Sequence, residues 1–290
     1  MSDKHKILIQ LDTDAQPSVF DRVVAVDAGV DFLFTHHAVK PDQVQGLVHG
    51  AIFTRGPNSL KSTAIFIGGS DVVAGEAILD AVRKSFVPQY GLSVSAMLDS
   101  NGSNTTAAAA VRAASKHMDL GQTKALVLGG TGPVGQRVAR LLARQGADVR
   151  IGSRSVERAQ GVAAAIKANL PNAKVEATGT TSTADGPKAL EGRDLVIAAG
   201  AAGAMLLPAK TRATTKSLHL MIDLNAVPPA GIEGIEVTDK AMMRDDIICY
   251  GAIGVGDTKM KIHKAAIAKL FESNNQVLDA EEIYDLALRL

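Results

Sequence analysis

Three glycines give the chain its clearest chemical signal. In "LVLGGTGPVGQRVARLLARQGADVRIGSRS" the pattern Gly130-x-Gly132-x-x-Gly135 directly follows an apolar run and directly precedes an amphipathic one. Where the first run is a strand and the second a helix, each glycine has a physical reason. They allow a tight turn, close approach of backbone to a pyrophosphate, and close helix–strand packing, with the phosphates at the helix N-terminus. Gly130, Thr131, Gly132, Pro133, Val134 and Gly135 are therefore expected to form a dinucleotide-binding loop, the alternative being a merely structural turn.

Arg154 lies about twenty residues further on, where an NAD enzyme places the acid that holds its ribose. A carboxylate there would repel an adenosine 2′-phosphate, whereas a guanidinium holds it through two parallel charge-assisted hydrogen bonds. NADP is the expected cofactor, with Ser153 and Arg158 beside Arg154 as further contacts. The competing reading leaves Arg154 in solvent at a helix start.

Other polar clusters stand where substrate chemistry would need them. "MLDSNGSNTTAAAA" carries Asp99, Ser100, Asn101, Ser103, Asn104 and Thr105 between a strand and a helix, and "LDTDAQPSVFD" carries Asp12, Asp14 and Ser18 in the same way. Ligands of open α/β sheets bind beyond the carboxyl ends of strands, but the same residue types also cap helices, and both readings stand here. In "IDLNAVPPAGIEGI" Asn225 is expected near a nicotinamide carboxamide, with Pro228-Pro229 stiffening the loop; a rigid connection without ligand contact is the alternative. In "GAIGVGDTKMKIHKAAIAKLFES" Asp257 reads as an N-cap, placing Lys259, Lys261, His263 and Lys264 in the first two turns of a helix. Cations there lose roughly 0.3–1 kcal/mol against the helix dipole, which a bound anion or a catalytic need would offset. Solvated surface charge, and a packed helix histidine at His263, are the alternatives. The residues four beyond Tyr90, Tyr250 and Tyr284 are Val94, Gly254 and Leu288, so no Tyr-x-x-x-Lys pair exists and the short-chain dehydrogenase mechanism is excluded. Neither a His-x-x-x-His pattern nor an acidic cluster points to a catalytic metal.

The elements that must position these residues alternate almost from end to end. Apolar runs at 6–11, 31–34, 63–69 and 92–98 read as strands, separated by segments with three- and four-residue apolar spacing, the pattern of parallel βαβ units. A helix at 104–118 and a Gly-containing break at 119–124 precede a second series ending in a strand at 217–225, then helices at about 258–273 and 279–290. The expected fold is α/β: a small open domain over 1–118, which helices in 262–290 could complete, and a Rossmann-type parallel sheet over 119–261, with an active-site cleft between them. Lysine and arginine number 31 against 30 acids, so bulk charge offers no polyanion-binding surface and nucleic acid is not an expected partner. The single cysteine, Cys249, excludes an internal disulfide and a cysteine-based zinc site, and reads as a small buried residue. The N-terminus turns polar after one short apolar run, unlike a signal peptide or membrane span, so a soluble cytoplasmic protein without membrane partners is expected.

Taken in order, "DTDAQPSVFD", "STAIFIGG", "MLDSNGSNTTAAA", "GGTGPVG", "NAVPPAGIEGI" and "IAKLFES…LDAEEIY" resemble the NADP-dependent methylene-tetrahydromethanopterin dehydrogenases of methylotrophic bacteria, some of which also use methylene-tetrahydrofolate. The resemblance runs nearly end to end. It implies hydride transfer from the bridging methylene carbon to nicotinamide, a homo-oligomer (trimer or hexamer), and C-terminal helices that return to the first domain. The family's active-site lysine falls on Lys259, and Asp14, Ser18, Asn101, Ser103 and Thr105 are the candidate contacts to tetrahydromethanopterin or tetrahydrofolate. Two rivals remain open: a shikimate-dehydrogenase-like NADP oxidoreductase, whose Asn-Val-Thr-x-Pro-x-Lys pattern is missing, and a non-catalytic NADP-sensing protein.

Overall fold

The computed structural model describes residues 4–182 and 184–290. In chain order they form β1 (Ile7–Asp12), α1 (Val19–Asp27), β2 (Phe32–His36), α2 (Pro41–Phe53), β3 (Thr63–Gly68), α3 (Val72–Ser85), β4 (Ser95–Leu98) and α4 (Ser103–Ser115). Then come β5 (Lys124–Leu128), α5 (Pro133–Arg144), β6 (Asp148–Ser153), α6 (Val156–Asn169), β7 (Val175–Gly179), α7 (Asp185–Leu190), β8 (Leu195–Ala198), α8 (Ala209–Arg212) and β9 (Leu220–Asp223). The chain ends with β10 (Lys240–Arg244), β11 (Ile247–Tyr250), α9 (Ala252–Lys269), β12 (Val277–Leu278) and α10 (Ala280–Ala287). Two compact units result: the chain up to Thr105 together with Met260–Leu290, and Thr106–Lys259.

The first unit is built on a parallel sheet of order β12-β4-β3-β1-β2. Its central strand "TAIFIG" is buried at every position, as a parallel strand covered on both faces must be. Ile9, Leu11, Ile65, Ile67 and Leu98 pack with residues of α2 and α3 on one face. Phe66 alternates to the other face, where the buried His263 of α9 stacks on it at 5.7 Å between ring centroids.

The second unit carries a sheet of order β10-β11-β9-β8-β5-β6-β7, parallel except for the β10–β11 pair. From β5 the chain advances outward through β6 and β7, then returns to pair β8 on the other side of β5. Strand order therefore reverses between β5 and β8, and in such sheets the crevice beyond their carboxyl ends is where ligands bind.

Two features depart from the sequence reading. The sheet does not end at 217–225 but continues into the β10–β11 hairpin, whose turn residues Asp245 and Asp246 both have positive φ, at 49° and 61°. An Asp-Asp pair in two left-handed positions lacks the glycine that usually marks this turn. The helix expected from 258 begins at Ala252, so Asp257 is not its N-cap and Lys259, Lys261, His263 and Lys264 lie in its interior. Its first-turn Ile253 N–H donates to the Val237 carbonyl at 2.8 Å. Gly251 and Gly254 permit this approach, because a Cβ on either would collide with the carbonyls of Glu236 and Asp239. Asp257 instead pairs with Lys240 at 2.8 Å. The dipole cost inferred for the lysines is therefore absent, since the effect fades beyond the first turn.

Candidate functional site

At the strand-order reversal of the second unit, β5 runs through Gly129 into the glycine loop and α5. Gly129 has φ 68°, and its Cβ would stand 2.7 Å from the Gly200 Cα at the end of β8, so the two strand ends meet backbone to backbone. A Cβ on Gly130 would press on Ile151 at 2.7 Å, and one on Gly135 would stand 2.8 Å from the Gly130 Cα. A Cβ is thus excluded at Gly129, Gly130 and Gly135. Gly132 is the N-cap of α5, Pro133 its first residue, and among the described residues no side chain caps it. This end of α5 therefore presents backbone N–H groups and the positive end of its dipole, the local requirement for a pyrophosphate.

The end of β6 adjoins this turn. Ser153 Oγ lies 3.2 Å from Thr131 Oγ1 and accepts the Ser155 N–H at 3.2 Å, and Ser155 caps α6 by accepting the Arg158 N–H at 3.2 Å. Arg154 and Arg158 are exposed, and among the described residues neither guanidinium makes an ion pair or hydrogen bond. Two unneutralised cations and two hydroxyls beside a glycine cradle suit a phosphate monoester dianion.

Asn225, at the end of β9, is buried and turned inward. Its Nδ2 donates to the Pro229 carbonyl at 3.0 Å and its Oδ1 accepts the Val227 N–H at 3.0 Å, so its side chain secures the 225–229 loop, which contains a cis Pro228–Pro229 bond. Asp223 beneath it accepts the N–H groups of Asn225 and Ile232 at 3.0 and 2.9 Å, and burial pushes its carboxyl up against the pull of those bonds.

In the first unit the ends of β1, β3 and β4 converge. Asp12 is buried and accepts Gln10 Nε2 and the Asp14 N–H, both at 2.9 Å. The Asp14 carboxylate accepts the Ser70 N–H at 2.9 Å and the Ser70 hydroxyl at 2.8 Å, binding the β1 and β3 loops together. Ser18 caps α1 by accepting the Asp21 N–H. Asn101 is exposed in a left-handed conformation, φ 54°, and its N–H donates to the Gly69 carbonyl at 2.7 Å. Asp14 and Asn101 are thus brought to one rim through Gly69 and Ser70.

Ser103 and Thr105 are not. Both are fully buried, and capping engages their polar groups. The Asp99 carboxylate accepts the N–H groups of Asn104 and Thr105 at 2.9 and 3.0 Å and the Thr105 hydroxyl at 2.7 Å, while the Ser103 hydroxyl donates to the Ser100 carbonyl at 2.7 Å. His263 is packed between Phe66 and Phe20, its Nδ1 3.9 Å from Asp99 Oδ2. Lys259 is half-buried in the interior of α9. Ser70, Gly200 and Thr181 also shape these strand ends, Thr181 by donating its hydroxyl to the Arg154 carbonyl at 3.0 Å. Their only trace in sequence is position just after an apolar run. Among the described residues no group of His, Cys, Asp and Glu is arranged to hold a metal.

Comparison with known proteins divides the chain similarly. The family model for methylene-tetrahydromethanopterin dehydrogenase, N-terminal, matches residues 19–101, and that for shikimate / quinate 5-dehydrogenase matches residues 112–244. The bifunctional protein MdtA of Methylorubrum extorquens is 46% identical over 284 residues, covering 97% of this chain and 98% of that one. The NAD(P)-dependent methylenetetrahydromethanopterin dehydrogenase of the same organism is 31% identical over 283 residues, 94% of each chain. Among solved structures, quinate dehydrogenase from Corynebacterium glutamicum in complex with NAD covers 99% of both chains with a TM-score of 0.55 at 14% identity, a likeness of fold. Kinship of this extent with both Methylorubrum proteins places the chain in the methylenetetrahydromethanopterin dehydrogenase family.

Proposed function

We propose that the protein oxidises the methylene group of methylene-tetrahydromethanopterin, with methylene-tetrahydrofolate as the alternative substrate, to the methenyl form with NADP. The observation that carries the cofactor assignment is the free Arg154 guanidinium just past β6, beside a turn in which Gly129, Gly130 and Gly135 leave no room for a Cβ. A nicotinamide held there would supply the hydride acceptor, and loss of hydride from the carbon bridging the pterin and arylamine nitrogens would leave a methenyl amidinium cation. No proton moves in that step, so the chain's residues act by holding and orienting rather than by acid–base transfer.

Residues 119–261 form the NADP domain, and residues 1–118, completed by helices in 262–290, form the pterin domain. Gly130, Thr131, Gly132, Pro133, Val134 and Gly135 hold the pyrophosphate at the start of α5. Ser153, Arg154 and Arg158 hold the 2′-phosphate. Asn225 keeps the loop after β9 in shape beside the nicotinamide. On the pterin side Asp14, Ser18 and Asn101 supply polar contacts at the strand ends, and Ser103 and Thr105 support that rim from beneath through their part in capping α4. Lys259 is the active-site lysine. A positive charge close to a cationic product is unfavourable, so the role of Lys259 is toward the pterin ring rather than the reacting carbon.

The protein acts in the cytoplasm as a homo-oligomer, trimer or hexamer. Supporting this are its single buried cysteine and the exposed apolar residues Phe32 and Phe34 on edge strand β2. No helix of the described residues is long and apolar enough to cross a membrane.

The test is NADP reduction followed by absorbance, with formaldehyde plus tetrahydromethanopterin and, in parallel, formaldehyde plus tetrahydrofolate. Reduction with either pterin and none with shikimate is expected. Tight NADP binding without reduction in any arm would favour the sensing protein, and reduction with shikimate alone the shikimate-dehydrogenase-like enzyme.

A further inference from the structure

Arg154 is exposed on a loop, so the direction in which it reaches depends on what holds its backbone. The β6–β7 pairing runs to Ser153 and Gly179, and the Thr180 N–H donates to the Ser153 carbonyl at 3.0 Å. Past the strand ends one side chain continues the pairing: the Thr181 hydroxyl donates to the Arg154 carbonyl at 3.0 Å. Thr181 is itself fixed by Asp185 at the start of α7, whose carboxylate accepts the N–H groups of Thr181 and Ser182 at 3.0 and 2.8 Å. Hydrogen bonds from Ser182, and then from Thr181, hold the Asp185 carboxyl below the usual carboxylate range. The other end of α7 is anchored to β6 by Arg150, whose Nη1 donates to the Lys188 and Ala189 carbonyls at 3.1 and 2.9 Å.

Among the described residues, packing on the other side of this turn is incomplete. Thr180, Thr181 and Ser182 wall a cavity of about 270 Å³ floored by Leu126, Leu128 and Leu206. Directional bonds must therefore fix what contacts leave loose.

We propose that Thr181, held by Asp185, is a positioning residue that sets the preference for NADP over NAD by fixing the backbone from which Arg154 reaches the 2′-phosphate. This rests on the reading that the cofactor's adenosine end binds at the β6 loop. Thr181 contributes through Arg154 and not by touching the phosphate, so its removal should affect only ligands that carry that phosphate.

The experiment is calorimetric titration of the full-length protein with adenosine 2′,5′-bisphosphate and with adenosine 5′-monophosphate. Three variants are compared with the parent: Thr181→Val, which keeps the shape and removes the donor, Thr181→Ser, which keeps the donor, and Arg154→Ser. Loss of one such bond should weaken the bisphosphate about three- to tenfold for Thr181→Val, leave the monophosphate within about twofold, and be restored by Thr181→Ser. Monophosphate binding also reports that each variant is folded. Equal weakening of both probes, an unchanged bisphosphate affinity, or failure of Thr181→Ser to restore it overturns the proposal. If Arg154→Ser abolishes the bisphosphate preference while Thr181→Val does not, the cofactor reading stands and this inference falls. If Arg154→Ser leaves the preference intact, both fall.

Discussion

Replacing Arg154 with aspartate tests the cofactor assignment most directly. Ser153, immediately before it, lies 3.2 Å from Thr131 in the glycine turn, so residue 154 directly follows a side chain that touches that turn. Its side chain is exposed, and each charge-assisted bond it makes to the 2′-phosphate is therefore worth about 1 kcal/mol rather than the larger buried value. Two such bonds, plus repulsion between the new carboxylate and a dianion, amount to about 2–3 kcal/mol, a rise of about 30- to 160-fold in the Michaelis constant for NADP. NAD has no 2′-phosphate, and a carboxylate at this position can accept from its ribose hydroxyls, so the NAD constant should stay level or fall. The assay is initial-rate measurement with each nucleotide at a fixed concentration of methylene substrate, repeated at two ionic strengths. An exposed pair is screened over about 10 Å at 0.1 M salt, so the parent's NADP preference should shrink as salt rises. Equal changes for NADP and NAD, or no change for NADP, would refute the assignment.

Gly135→Ala should raise the NADP Michaelis constant at least about tenfold while leaving far-ultraviolet circular dichroism unchanged, because the new Cβ would stand 2.8 Å from the Gly130 Cα and force the turn open. Unchanged kinetics would mean that the turn does not carry the cofactor. Lys259→Ala should cut turnover at least about tenfold with little loss of NADP affinity, since the lysine is assigned to the substrate side of the reaction; near-normal turnover would remove it from the site. Burial pushes the Cys249 thiol from 9.0 up to about 11. Below about pH 9 both states keep the proton, and as pH rises toward 11 the unfolded chain loses it first, so stability falls, by roughly 2–3 kcal/mol at most from this group. Urea unfolding of the parent and of Cys249→Ala at about pH 8 and about pH 10 isolates this contribution, because the variant should lose the cysteine's share of the slope while other groups cancel. Identical slopes would show that the thiol does not feel its surroundings.

The α/β class and the run of βαβ units were legible because apolar alternation repeats regardless of which strands later pair. The strand–turn–helix at the glycines was legible for a related reason: close approach of backbone to backbone is a demand made on single residues at set distances along the chain. The β10–β11 hairpin was not, since Asp245 and Asp246 adopt a turn that residue type does not advertise.

Other assignments depended on partners remote in sequence. Asp, Ser, Asn and Thr serve capping and ligand binding equally well, so residues 99–105 were ambiguous. Tertiary structure turned Asp99, Ser103, Asn104 and Thr105 inward to capping bonds and left Asn101 exposed at the surface. The start of α9 was misplaced because Asp257 has the residue type of a cap, whereas its first amides are satisfied by the carbonyl of Val237. The hold of Thr181 on Arg154 has no sequence signature either, joining the ends of two strands 27 positions apart. Sequence alone thus determined the run of βαβ units and the residues demanded by local backbone geometry; which polar groups were already engaged within the protein, and which remained open to a ligand, was decided only when distant segments came together, because a hydrogen bond depends on where its partner lies in space.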